Sequence, residues 1–145
     1  MKKVIVCIVL GLFISQAASA RDSKIMVPIN DVLSTADAKS ILSEGVELYW
    51  GGQAHTAPIK SFGSFVSNKK TNAFNRSDLG SCYRVFLSAV RSLQDRAYKE
   101  GGNAVVNIQS YYKKNAFNSD VEFECHAGGI IAGVALKGDV VRLPY

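Results

Sequence analysis

Glu122, Glu124 and His126 are the residues whose types and spacing come nearest to chemistry in this chain. Set two apart, they project from one face of a strand, about 7 Å from one another in succession. Two carboxylates and an imidazole form a donor set suited to a divalent metal, with His55 or Asp120 in position to complete the shell. Alternating charge is also what a solvent-facing strand carries, and that is the simpler reading of the same three residues. Other chemistry is hard to place. Residues 21–145 hold two histidines, His55 and His126, and neither has a Gly-x-Ser-x-Gly elbow nearby. There is no Gly-x-x-x-x-Gly-Lys-Ser/Thr phosphate loop and no His-Glu-x-x-His motif. An enzyme is not expected, and no cofactor.

Cys82 and Cys125 offer a different chemistry. Leu79, Cys82, Phe86, Ala89, Val90, Leu93 and Ala97 recur at spacings of three and four, which predicts one apolar stripe on a helix over 78–100. Ser77 or Asp78 caps its start and Gly101-Gly102 ends it. Over 121–126, Val121, Phe123 and Cys125 alternate with Glu122, Glu124 and His126. Both cysteines therefore face the core, and a disulfide between them is expected, with two free buried thiols as the alternative. Without a Cys-x-x-Cys pair or an activating neighbour, a redox role is not expected.

A disulfide needs an oxidising compartment. The N-terminus supplies the address. Met1-Lys2-Lys3 precedes an apolar run from Val4 to Ile14, and Ala18-Ser19-Ala20 presents small residues where a signal peptidase reads. Residues 1–20 thus read as a cleavable signal peptide, and the run is short for a membrane anchor, which wants about 20 apolar residues. Cys7 sits inside that run, and Arg21 occupies the position after the small residues, so lipid attachment is not expected. Processing also removes Lys2 and Lys3 from a chain whose formal charge is only +5. Lys69-Lys70 and Lys113-Lys114 are short pairs rather than a basic stripe, and nucleic acid is not an expected partner.

The remaining elements must position these residues. Residues 21–29 read as a strand or ordered arm, 34–43 as a brief helix stopped by Gly45, and 46–50 as a strand with Val46, Leu48 and Trp50 on one face. A strand over 58–67 precedes a polar loop over 68–76. After the long helix, 103–112 and 121–126 form a hairpin through a turn at 115–120. Gly128-Gly129 leads into a strand over 130–137, and Gly138-Asp139 breaks it before a last strand over 140–143. Gly128, Gly129 and Gly133 read as close packing or a bulge, and Tyr49, Trp50, Tyr111 and Tyr112 as core. The sum is a single α+β domain over 21–145, a mainly antiparallel sheet packed against one long helix and a short N-terminal one.

The stretch from Cys82 to Leu143 resembles a group of small exported bacterial proteins often labelled "excinuclease ATPase subunit". The resemblance rests on Phe86-Leu87-Ser88-Ala89, Leu93-Gln94-Asp95-Arg96-Ala97, Gly101-Gly102-Asn103-Ala104-Val105-Val106-Asn107-Ile108, Cys125-His126-Ala127-Gly128 and Gly133-Val134-Ala135-Leu136-Lys137-Gly138. The phosphate loop that such an ATPase needs is absent. More distantly, the helix, the Gly-Asn-Ala-Val-Val strand and the closing glycine-rich strand are similar to the YbjQ-like family and to the periplasmic domain of the Rcs envelope-stress sensor lipoprotein. These resemblances imply a compact α+β domain, binding or sensing over catalysis, and for the first family a metal-binding label. The expected protein is periplasmic or secreted and non-catalytic, meets an envelope protein partner and keeps no stable membrane anchor. The alternatives are a divalent-metal-binding protein and, further off, a small hydrolase.

Overall fold

The computed structural model describes residues 21–145, so the expected signal peptide and Cys7 lie outside the described residues. The long helix, α3, spans Asp78–Glu100. Ser77 caps it by accepting a hydrogen bond from the Gly80 amide, and Gly101 closes it in the left-handed region at φ 88°. Arg142 donates from its guanidinium to the Gly101 carbonyl, tying that cap to the last strand. The buried face carries Cys82, Val85, Phe86, Ala89, Val90, Leu93 and Ala97. Leu79, expected on this stripe, is instead half-exposed in the first turn, ahead of the sheet.

Two short helices, α1 at Ile29–Leu33 and α2 at Ala36–Ile41, follow the first strand, β1 at Ser23–Pro28. The other strands are β2 at Glu47–Trp50, β3 at Lys60–Asn72, β4 at Ala104–Ser110, β5 at Glu122–Ala127 and β6 at Ile131–Arg142. β6 is the spine of one six-stranded sheet. Its one edge pairs antiparallel with β3 along almost all of its length. Its other edge takes β4 against one half and β5 against the other, both antiparallel. β1 flanks β5 antiparallel, and β2 flanks β4 as the parallel pair. α3 packs across β3 and β6, and the core lies between them. The fold is α+β, as the order of elements predicts.

Three expectations are corrected. The polar run Asn68–Asn72 is strand, not loop: it continues β3, whose outward side chains need not be apolar. Gly138-Asp139 does not break β6. A Cβ at Gly138 would stand 2.6 Å from Val105 Cγ1, so the glycine admits a close approach of β4 where that strand bulges around Asn107, at φ 53°. β4 and β5 do not form a hairpin. They lie along successive halves of β6, and the isolated bridge of Ser110 with Phe117 joins the end of β4 to the loop ahead of β5, because a 3-10 turn at Tyr112–Lys114 carries the chain outward through two residues at positive φ, Lys113 and Lys114.

Gln94 adds a polar clasp that periodicity does not show. Buried on α3, it donates from Nε2 to the Ser43 and Val46 carbonyls and accepts from the Ser43 amide. The loop before β2 is thereby held on the helix with its backbone groups paired.

Candidate functional site

β5 has two unlike faces, as its alternation predicts. Phe123 and Cys125 enter the core, and Cys125 sits at disulfide-bonding distance from Cys82 of α3, with Cα atoms 5.9 Å apart and a sequence separation of 43. Val121 precedes the strand and is exposed. The opposite face is not the solvent-facing surface that alternating charge suggests. Glu124 is 8% exposed there. His126, Ser110 and Lys24 are its polar neighbours. The Tyr112 ring stacks on His126 with centroids 3.5 Å apart and planes 9° from parallel. Ser110, at the end of β4, accepts a hydrogen bond from the Glu124 amide at its Oγ.

The β1–β5 register brings the N-terminal arm alongside, pairing Lys24 with His126 and Met26 with Glu124. As a result both nitrogens of His126 face carboxylates. Nδ1 lies 3.0 Å from Asp22 Oδ1, and Nε2 lies 2.5 Å from Glu124 Oε1. Both contacts are hydrogen bonds when the ring carries both protons. Lys24 Nζ stands 3.9 Å from the second Glu124 oxygen. The arm is fastened further along by Arg21, which donates to both Asp78 oxygens and to the Gly128 carbonyl. Hydrogen bonding from Arg21, helped by charge attraction and opposed by desolvation, holds the Asp78 carboxyl below its ordinary range. That pair therefore contributes above the usual carboxylate range and is lost as pH falls through the depressed value.

Of the expected ligand set, Glu124 and His126 come together and Glu122 does not join them. Glu122 pairs with Pro28 at the strand's start, its amide donating to Ser119 Oγ. His55 lies in the loop after β2, edge-on to Tyr49 and with Nδ1 2.8 Å from the Thr56 carbonyl oxygen. Tyr49 donates to Glu47, and that bond, more than burial or charge, raises its phenol above the ordinary value. Among the described residues no three His, Cys, Asp or Glu side chains are grouped so as to hold a metal ion. Of the four aromatics expected in the core, Trp50 is buried, whereas Tyr49, Tyr111 and Tyr112 are half-buried. Sequence alone does not join Asp22, Lys24 and Tyr112 to His126 as one site, although Asp22, just ahead of β1, shares the parity of Lys24 within it.

Beside this cluster a cleft of about 410 Å³ opens between the N-terminal arm and the 3-10 turn. Lys24, Tyr112, Lys113, Asn115, Phe117 and the Glu124–His126 pair line it. Fold and site together define an α+β domain with a cystine-distance core pair and a carboxylate-clamped histidine at the edge of a surface cleft. Comparison with protein-family models, with curated proteins and with solved structures gives no match. Among the described residues no helix is long and apolar enough to cross a membrane.

Replacing His126 with alanine strands the Glu124 carboxylate, leaving Lys24 at 3.9 Å as its cation. The expected loss is about 2 kcal/mol of folding free energy, the scale of a hydrogen bond to a buried charged group. Urea unfolding measures it. The double variant Glu124→Gln, His126→Ala should recover part of the loss, since a neutral amide tolerates burial better than an unpaired carboxylate.

Proposed function

We propose that the protein is a non-catalytic binding module of the bacterial cell envelope, exported by residues 1–20 and working in the periplasm or outside the cell. The observation that carries this reading is the state of His126. A general base needs a nitrogen within reach of the substrate's proton. Here Asp22 and Glu124 lie against both nitrogens, Tyr112 covers a ring face, and the nearby Ser110 hydroxyl oxygen accepts from the Glu124 amide. Such a cluster forms one wall of the cleft. The cleft it borders presents what a polar partner needs: the ammonium groups of Lys24 and Lys113, the Asn115 amide and the rings of Tyr112 and Phe117.

Export is supported by the cysteines. Cys82 and Cys125 are fully buried at bonding distance, an arrangement that an oxidising compartment preserves. The resemblance to exported envelope proteins agrees with this, and an envelope protein is the expected partner.

A photo-crosslinking residue at Asn115, on the exposed rim of the cleft, tests the reading in living cells. The expected outcome is one adduct of defined mass in the envelope fraction, lost when Lys113→Glu reverses the charge of the rim. No adduct, or one indifferent to Lys113→Glu, would contradict binding at this cleft.

A further inference from the structure

We propose that the outer edge of β3 is a strand-addition site that receives an extended acidic segment of a partner protein. The proposal rests on the binding-module reading but uses a surface other than the His126 cleft.

Backbone parity carries the argument. The Ala73 amide donates to the Ile130 carbonyl in the same register that pairs β3 with β6. In an antiparallel ladder hydrogen-bonded pairs alternate with non-bonded ones. Phe65, Ser67, Lys69 and Thr71 therefore bond to β6, and Ser64, Val66, Asn68, Lys70 and Asn72 turn their N–H and C=O groups outward. The far edge of β6 shows the complementary parity: the carbonyls of Ile131, Ala135 and Val141 accept from Gly128, Tyr111 and Asn103. Among the described residues no backbone partner meets the five outward pairs on β3. A row of unpaired donors and acceptors of this length is a template for one more strand.

A groove runs beside that edge, between β3 and α3. Phe65, Val66 and Ser67 form its strand wall, and Ser92, Asp95 and Arg96 part of its helix wall. Val66 is 53% exposed on the sheet face turned away from α3, and the Ser67 hydroxyl, buried on the face toward α3, has no hydrogen-bond partner. Charge selects the occupant. β3 carries Lys60, Lys69 and Lys70 and no acidic residue, and α3 adds Arg91, Arg96 and Lys99 against Asp95 and Glu100, which Arg91 and Arg96 already hold. Pairing two β3 strands would bring two sets of lysines together, a device that keeps edges from self-association. An extended segment with acidic residues meets the same edge favourably.

Amide hydrogen exchange on the full mature protein, cystine intact, tests this. The probe is a short capped peptide alternating valine and glutamate, at millimolar concentration. In the free protein, the amides of Phe65, Ser67, Lys69 and Thr71 exchange slowly and those of Ser64, Val66, Asn68 and Lys70 exchange fast. With the peptide, the second set slows at least about tenfold and the first set is unchanged. A valine–lysine peptide has no such effect. Val66→Pro removes an outward N–H without touching the β6 ladder, and should abolish the protection while the first set stays slow. Asn68→Pro serves the same purpose should Val66→Pro misfold. His126→Ala should leave the peptide effect intact, which separates failure of this edge from failure of the cleft. The proposal is overturned if the outward amides are already slow in free protein, whether covered by a second copy or by another segment. It is equally overturned if neither peptide slows them, or if both do.

Discussion

Removing the Cys82–Cys125 link, as the double alanine variant, is expected to cost about 4 kcal/mol in the chain-entropy account of a loop of this size. The pair joins α3 to β5 across a separation of 43 residues, and both residues are fully buried. Two effects add in the same direction. The unfolded chain regains the freedom that the link denies it, and the small side chains leave unfilled volume between helix and sheet. For a domain whose net stability is about 5–15 kcal/mol, that is a large fraction. Urea unfolding should show a lower midpoint and a steeper slope, since the unlinked chain exposes more surface when it unfolds. Reduction of the wild-type protein should reproduce most of the loss. A change below about 1 kcal/mol would mean that the core around the link holds without it.

Phe86→Ala is expected to cost about 3–5 kcal/mol. Phe86 is completely buried between two rings, stacked on Phe123 with centroids 3.8 Å apart and on Trp50 at 5.4 Å. These three residues come from α3, β5 and β2, so the ring of Phe86 joins the helix to both halves of the sheet. Truncating it opens a cavity whose walls are aromatic and cannot collapse inward without moving the strands. Phe86→Leu keeps most of the volume and should cost less than half as much. Equal losses for the two variants would show that the stacked geometry, rather than filled volume, dominates at this point.

The long helix was legible because its evidence is local. Twenty-three residues of one period, a serine at the start and a glycine in the left-handed region at the end need no knowledge of the sheet. The placing of Cys82 and Cys125 was legible for the same reason, since each element's own period turns its cysteine inward. What failed depended on partners distant in sequence. Gly138 looks like a break because a glycine's local meaning is freedom, whereas its role is to let Val105 approach. Asn68–Asn72 looks like loop because a strand at the sheet's edge needs no apolar alternation. Neighbouring segments usually pair, which suggests a hairpin, yet β6 is long enough to hold β4 and β5 one after the other along one edge. Glu124 looks like a surface residue for a related reason. Its own strand announces alternation, whereas its neighbours His126, Ser110 and Lys24 include two brought in from β4 and β1.

The candidate site was thus half legible. Two of its members, Glu124 and His126, stand out by type and spacing within one strand. The residues that turn them from a surface pair into a clamp arrive from β1 and from the turn after β4, and their arrival is a property of register. Register also separates the inward from the outward amides of β3. Both binding surfaces proposed for this molecule therefore follow from how strands are paired, more than from any motif.

Intact mass spectrometry of the native protein recovered from the cell envelope tests the central claim most directly. An exported, cystine-locked module predicts a chain that begins at Arg21, two hydrogens lighter than its reduced form and inert to thiol alkylation until reduced. A protein that retains residues 1–20 in the cytosolic fraction, with Cys82 and Cys125 both alkylated after unfolding without reduction, would contradict it.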